Sequence, residues 1–174
     1  MQCGALATPL EPFRTRVRPN DVLAVEQLVR TAGTFSEPEI AIARELVEVN
    51  LAKGDEASGY RFIFADWRNG INGYTCFGPI PGTEGRYELY WIAVSRENRR
   101  SGLGQRLMMA TEAAVRALSG VFLFAETSTR ANYEPARKFY LAQGYQLMGT
   151  IPDWYADGDG LATYGKRLVR ASLN

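Results

Sequence analysis

The segment Arg99–Gly104 carries two arginines and two glycines in six residues, a pattern suited to binding an anion. Aromatic and β-branched residues over 87–94 predict a strand before it, and apolar residues at helical spacing from Leu103 predict a helix after it. Glycine lets the backbone approach a phosphate closely, and the free N–H groups and dipole of a helix N-terminus stabilise negative charge. The segment therefore predicts a site for a phosphorylated ligand. The alternative is that Arg99 and Arg100 are solvated loop charges.

Three phosphate ligands compete for such a loop. A dinucleotide fingerprint requires glycine or alanine three residues after Gly104, where this chain has Leu107. A Walker loop requires Gly-Lys-Ser/Thr, which is absent. The third candidate is the pyrophosphate of coenzyme A.

The composition restricts the chemistry. The chain contains no histidine, which excludes Ser-His and Cys-His catalysis and most zinc sites. Cys3 and Cys76 fit no metal spacing, so no metal is expected, and two free thiols in a reducing cytosol are the favoured interpretation. The formal net charge of +1 provides no global attraction to nucleic acid or to an anionic membrane.

The elements around the loop predict an α/β fold with one mixed sheet flanked by helices. The predicted order is β-α-α-β-β-β-α-β-α-β-β, with a hairpin at Arg68-Asn69-Gly70. A capping box, Ser36-Glu37-Pro38-Glu39, opens the second helix, and Lys53-Gly54-Asp55 is expected to end it. The predicted strands are residues 13–18, 60–67, 74–79, 86–94, 121–127, 145–151 and 161–168, and the predicted helices begin near residues 21, 36, 102 and 133.

The length of 174 residues predicts a single domain, residues 1–174, with its core at about 13–170. No apolar run approaches the length of a membrane span. Residues 1–6 lack the basic start and long apolar core of a secretory signal. A cytoplasmic protein is expected.

Two motifs together resemble a known family. Arg99–Gly104 is similar to the Arg/Gln-x-x-Gly-x-Gly/Ala signature of the GNAT acetyltransferase superfamily. Residues 136–145, with Ala136, Tyr140, Gly144 and Tyr145, are similar to its Ala-x-x-x-Tyr-x-x-x-Gly-Phe/Tyr element. The motifs occur in the family's order with a strand between them.

The resemblance implies a GNAT-like fold and acyl transfer from acetyl-CoA, as cosubstrate, to an amine without a metal. It assigns pyrophosphate binding to the backbone of six residues: Arg99, Arg100, Ser101, Gly102, Leu103 and Gly104. In the family, the strand before the loop pairs with the pantetheine arm, and a bulge there directs an N–H at the thioester carbonyl. Ile92, Ala93 and Val94 occupy that stretch.

Tyr140 and Glu88 are the catalytic candidates. Tyr140 matches the family tyrosine that can protonate the sulfur of coenzyme A, although an aromatic at helical spacing also suits a core. Glu88 lies on the strand leading to the loop, where many relatives place a carboxylate that draws the amine proton, although it could instead face solvent. Glu126 is a rival base and a candidate for binding the substrate cation.

The segment 151–160 combines aromatic residues with carboxylates, a surface suited to a cationic amine. Asp153, Trp154 and Tyr155 are predicted to bind substrate, whereas Asp157 and Asp159 are interpreted as parts of a turn before the last strand. The family often carries an asparagine seven positions before its tyrosine. This chain has Tyr133 there, with Asn132 beside it.

The leading hypothesis is an N-acetyltransferase that transfers acetyl from acetyl-CoA to the primary amine of a small molecule by direct attack in a ternary complex. One alternative is a non-catalytic sensor that binds acyl-CoA. Another is a peptide or protein N-acetyltransferase, for which an open groove would be expected. Because family members often pair through sheet edges, the resemblance also allows a homodimer.

Overall fold

The computed structural model describes residues 13–67 and 70–168. Its helices within these ranges are α1 (Asp21–Ala32), α2 (Glu37–Ser58), α3 (Leu103–Ala117) and α4 (Glu134–Ala142). Its strands are β1 (Arg61–Trp67), β2 (Gly70–Pro79), β3 (Arg86–Val94), β4 (Phe122–Ser128), β5 (Gln146–Ala156) and β6 (Asp159–Arg167). Short 3₁₀ turns occur at Arg96–Asn98 and Ala131–Tyr133.

The strands form one sheet in the order β1-β2-β3-β4-β6-β5. Only the β3–β4 pair in this sheet of described residues is parallel, and the other neighbours are antiparallel. Separate apolar cores lie on the two faces. Residues of α1 and α2, such as Val25 and Val47, pack with Phe64 of β1, while residues of α3, such as Leu107, pack with Leu123 of β4. The mixed sheet flanked by helices confirms the predicted fold class.

The predicted first strand, residues 13–18, is wrong. Arg14 makes a single antiparallel bridge with Phe64, and the segment then bends away. Its side chain instead pairs with two carboxylates, those of Asp21 and Asp66, each at 2.7 Å. Ion pairs therefore hold this segment against the sheet in place of a strand ladder.

Two predicted element ends are also wrong. Helix α2 was expected to end at Lys53-Gly54-Asp55. Gly54 does adopt a non-helical conformation, but the helix resumes after it and ends at Ser58. Strand β5 does not end at Ile151; it runs through Pro152 to Ala156 with a shifted register. Proline is tolerated because β5 is an edge strand, where a missing N–H costs no ladder hydrogen bond.

Some predictions fall on residues that the structure does not describe. They are the Arg68-Asn69 part of the hairpin, Cys3 and the N-terminal residues 1–6. Among the described residues, no helix is long and apolar enough to cross a membrane. No group of histidine, cysteine, aspartate or glutamate side chains in the same ranges could hold a metal ion.

Candidate active site

The parallel strands β3 and β4 separate along their length and leave a gap in the sheet. They pair only where residues 86–89 face residues 122–125. Beyond that point, residues 91–94 pair with β2 alone and residues 126–128 pair with β6 alone. The facing backbone groups of the separated halves are thus available to a ligand lying between them, since buried N–H and C=O groups require partners.

A bulge lies at the start of this gap. Cys76 of β2 pairs with Trp91, but the next residue, Phe77, pairs with Leu89, so Tyr90 is the extra residue in β3. Tyr90 and Trp91 consequently pack on the same face of the sheet, against the core under α1 and α2. The resemblance predicted a bulge on this strand; it lies just before Ile92, Ala93 and Val94.

The gap forms part of a cavity of about 950 Å³. Its lining contains the catalytic candidate Tyr140 and five residues predicted for cofactor binding: Ile92, Ala93, Val94, Arg99 and Gly104. Two predicted substrate residues, Glu126 and Tyr155, also line it. Residues from α2, β3, β4, α4 and β5 therefore share one cavity.

The loop at one end of the cavity leads into the N-terminus of α3. Gly102 adopts a left-handed conformation, with φ of 79°, and α3 makes its first internal hydrogen bond from the Arg106 N–H to the Gly102 carbonyl. The Leu103 N–H donates a 3.4 Å hydrogen bond to the Ser101 hydroxyl, and the N–H groups of residues 104 and 105, which also precede the Arg106 bond, need external acceptors. A helix N-terminus with free donors and no acidic residue in its first turn is suited to pyrophosphate.

Side chains of the loop have separate roles. The Arg99 guanidinium donates to the Ala32 carbonyl at 2.5 Å, which ties the loop to the end of α1. Arg100 has φ of 63°, a left-handed conformation uncommon outside glycine. The Ser101 hydroxyl donates to the Asn98 carbonyl at 2.7 Å, while the Leu103 side chain is buried in the core. The loop's anion-binding capacity therefore rests on its backbone.

Tyr140 reaches the cavity from α4. Its side chain is 6% exposed and contacts the rings of Phe139, Tyr145 and Tyr164. No described residue provides a hydrogen-bond partner for its hydroxyl. Burial raises the pKa of Tyr140 well above its ordinary value, so the phenol keeps its proton at neutral pH.

Glu88 and Glu126 lie on the two strands that separate. Glu88 is in register with Phe124, so Glu126, two residues further along, faces the same side of the sheet. No basic side chain among the described residues pairs with either carboxylate; Glu126 accepts only a 3.4 Å hydrogen bond from Thr163. Burial raises the pKa of Glu88, and the Glu126 charge raises it further.

Tyr155 lies among carboxylates at the same end of the cavity. Burial raises the pKa of Tyr155, and so do four carboxylates, those of Glu126, Asp159, Glu39 and Glu88. The interpretation of Asp159 as part of a turn is wrong: it begins β6, is buried, lines the cavity and pairs with Arg130 at 3.0 Å. This end of the cavity is acidic.

The other two predicted substrate residues lie outside the cavity lining. Trp154 is 58% exposed on the edge strand β5. The Asp153 carboxylate accepts a 2.7 Å hydrogen bond from the Gly158 N–H, which fixes the turn between β5 and β6. Glu88 is half-buried and adjoins the acidic end through Glu126.

Sequence reasoning missed several residues that line the cavity, including Phe35, Glu39 and Trp91. Glu39 was recognised only as part of a capping box, a role it does perform by accepting hydrogen bonds from Ser36. No local pattern indicates that this helix start faces β4. Tyr133, at the position where the family often has asparagine, also lines the cavity.

A sheet opened by a bulge, a pyrophosphate-type loop and a buried tyrosine beside the gap are the features of a coenzyme A-dependent acyltransferase. Comparison with known proteins agrees. The sequence matches the Acetyltransferase (GNAT) family over residues 24–145. The chain belongs to this family and is an acyl-CoA-dependent acetyltransferase.

Solved structures show the same fold. A Desulfovibrio desulfuricans protein assigned to the GNAT family is 40% identical, with a TM-score of 0.87 over 90% of this chain and 98% of that one. An aminoglycoside 6'-N-acetyltransferase complexed with coenzyme A is 17% identical, with a TM-score of 0.70 over 90% and 95%. The ribosomal-protein-S18-alanine N-acetyltransferase from Escherichia coli is 16% identical, with a TM-score of 0.69 over 93% and 96%. No curated protein matches the sequence.

Proposed function

We propose that this protein transfers the acetyl group of acetyl-CoA to the primary amine of a small molecule by direct attack in a ternary complex, and that residues 1–174 form one N-acetyltransferase domain. The observation that carries the proposal is the single cavity of about 950 Å³. It has an anion-binding loop at one end and uncompensated carboxylates at the other. Donor and acceptor can therefore meet between β3 and β4 without a covalent enzyme intermediate.

The donor end uses backbone groups. Backbone groups of residues 99–104 bind the pyrophosphate, and backbone groups of Ile92, Ala93 and Val94 that face the gap bind the pantetheine arm. The fit is supported by the unpaired edge of β3 and by the free N–H groups at the start of α3. An N–H near the Tyr90 bulge donates to the thioester oxygen, where each such hydrogen bond contributes roughly 3 kcal/mol in acyl transfer.

The acceptor end uses charge. A free alkyl amine has a pKa near ~10 and is a cation at neutral pH. Glu88 and Glu126 present two carboxylates without a basic partner among the described residues, which favours a cation between them. Tyr155 lies beside them, and Asp153 and Trp154 extend the proposed acceptor surface along β5.

The proton balance assigns a role to each catalytic candidate. Glu88 accepts a proton from the ammonium group, directly or through water, and its raised pKa improves its basicity. The amine nitrogen then forms a bond to the carbonyl carbon, and the carbon–sulfur bond breaks. Tyr140 donates its proton to the departing sulfur, and the second proton of the amine nitrogen passes through solvent to the resulting tyrosinate, which restores the phenol. Cys76 is buried and burial raises its pKa, so it is unsuited to acting as an acyl carrier.

The test measures thiol release from acetyl-CoA with a panel of amines, including linear diamines, aminoglycosides, amino acids and short peptides. Calorimetry with coenzyme A measures cofactor binding in parallel. We expect tight cofactor binding and turnover with at least one small amine. Cofactor binding without turnover across the panel would support the sensor alternative instead.

The remaining expectations concern assembly and location. Strand β5 is an edge strand with exposed apolar side chains, including Leu147, Met148 and Ile151, and its residues 146–156 include no lysine or arginine. Exposed apolar edges favour pairing with another chain. We therefore propose a homodimer, which sedimentation measurements test directly. A cytoplasmic location is proposed because acetyl-CoA is a metabolite of that compartment.

A further inference from the structure

Two segments on opposite sides of the gap contact one another. The Tyr133 hydroxyl, in the turn that follows β4, donates a 2.5 Å hydrogen bond to Glu39 of α2, 94 residues away in sequence. The Phe35 ring lies 6.4 Å from the Tyr133 ring and 4.9 Å from the Trp91 ring of β3. We call Phe35, Glu39 and Tyr133 the strap.

The strap joins the two arms of the separated sheet. Phe35 is anchored on β3 through Trp91, whereas Tyr133 belongs to the chain that leaves β4. All three strap residues line the cavity. The same lining includes Gly104 at the cofactor loop and Glu126 at the acidic end. The strap therefore bridges the two separated strands at the cavity wall.

The strap is held in place from the α2 side. The Glu39 carboxylate accepts hydrogen bonds from the Ser36 N–H at 2.7 Å and the Ser36 hydroxyl at 2.6 Å. Its orientation is thus fixed before it meets the tyrosine, which lowers the entropy lost on closing. The Asn132 amide adds a longer contact, 3.5 Å, to the Thr34 carbonyl.

We infer that Tyr133 is a specificity-determining residue, whose hydrogen bond to Glu39 keeps the strap closed and restricts the acceptor to slender small-molecule amines. The inference rests on the proposed acetyltransferase function. A slender amine can enter from the acidic end without disturbing the strap. A peptide must occupy the gap along its backbone and therefore competes with Phe35 and Tyr133 for the same space.

The experiment compares two acceptors, 1,4-diaminobutane and a hexapeptide with a free N-terminus, across four proteins. They are the wild type, Tyr133→Phe, Tyr133→Ala and the matched control Tyr87→Phe. Tyr87 is another tyrosine whose hydroxyl donates to a residue distant in sequence, at 3.4 Å to the Leu118 carbonyl, and it lies away from the cavity lining. The readout is the ratio of kcat/KM for peptide to that for diamine, because a loss of folded protein lowers both values equally.

We expect the wild type and Tyr87→Phe to favour the diamine strongly. The ratio should rise about tenfold or more in Tyr133→Ala, and by a smaller factor in Tyr133→Phe, which loses the charge-assisted hydrogen bond but keeps the ring. Equal use of both acceptors by the wild type, or an unchanged ratio in both variants, overturns the inference.

If none of the four proteins turns over either acceptor, that result counts against the proposed function. A second measurement then tests the inference about the strap. Amide hydrogen exchange is then measured on peptides covering residues 33–39 with coenzyme A present. Exchange should be faster in both Tyr133 variants than in the wild type and Tyr87→Phe. Equal protection in all four proteins would mean that the hydrogen bond does not hold the strap.

Discussion

Replacing Tyr140 by phenylalanine should separate catalysis from folding. The hydroxyl has no hydrogen-bond partner among the described residues, although the side chain is only 6% exposed. The Tyr140 hydroxyl gives up no hydrogen bond within the described residues when it is removed, and phenylalanine fills nearly the same volume. Tyr140→Phe should therefore change the free energy of unfolding by less than about 1 kcal/mol.

The same substitution should slow the reaction. General acid catalysis typically contributes about 10²–10⁴-fold. The leaving thiol, with a pKa near ~8.5, needs less assistance than an alkoxide would, so the expected loss in kcat lies near the lower limit, about 10²-fold. That loss corresponds to roughly 2.7 kcal/mol of transition-state stabilisation. Binding of coenzyme A should change little, because the pyrophosphate loop is untouched.

Tyr74→Phe is the matched control. The Tyr74 hydroxyl is fully buried without a partner, but it lies in the core under α1 and α2 rather than in the cavity lining. Tyr74→Phe should keep the free energy of unfolding or raise it, because it removes a buried hydroxyl without a partner, and it should leave kcat unchanged. Thiol release gives kcat and urea denaturation gives stability. A Tyr140→Phe enzyme with wild-type kcat would refute the acid role, and equal losses of kcat in both variants would indicate a structural effect.

Three further predictions concern charge and backbone. Glu126→Gln removes a charge that raises the pKa of Glu88. Because Glu88 must be ionised to accept a proton, the acidic limb of the pH profile of kcat/KM should move to lower pH. An unmoved limb would contradict the electrostatic coupling of Glu126 to Glu88. Gly102→Ala and Gly82→Ala should each lower the free energy of unfolding by about 1 kcal/mol, because both glycines have φ above 70° and open space around them. Only Gly102→Ala should weaken coenzyme A binding in calorimetry. Arg14→Leu should lower the free energy of unfolding by about 3 kcal/mol in urea denaturation, because it leaves a buried carboxylate unpaired, and a loss below about 1 kcal/mol would contradict that role.

The parts of the fold that were predictable are those whose signals are local. The strand over 86–94, the loop after it and the helix start at Leu103 follow from residue type and spacing within one short segment, and the structure has each of them. The segment at 13–18 has a strand-like composition but forms only one bridge. Its position depends on Arg14 meeting carboxylates elsewhere in the chain, which no local pattern indicates.

The site was less predictable than the fold because it depends on pairs distant in sequence. Glu39 was recognised as a helix cap and Tyr133 only as a departure from a motif, yet they meet across the gap. Likewise, Asp159 is buried and does not lie in an exposed turn. Its partners are Ser128 on β4 and Arg130 just after β4, and the residues next to Asp159 in the sequence do not indicate this contact. Sequence spacing places side chains along one element, and it cannot report which other element lies opposite.

The separation of β3 and β4 explains why the two ends of the cavity belong together. If these strands remained paired beyond Leu89, their backbone groups would satisfy each other and leave no edge for a pantetheine arm. Glu126 lies in the separated half and lines the cavity, whereas Glu88 lies just before the gap, outside the lining; neither carboxylate has a basic partner among the described residues. An incoming ammonium group compensates both charges and carries the proton that Glu88 is placed to accept. One departure from regular strand pairing thus supplies the donor groove and the proposed acceptor site, which is why disruption of the pairing near Tyr90 should affect both substrates.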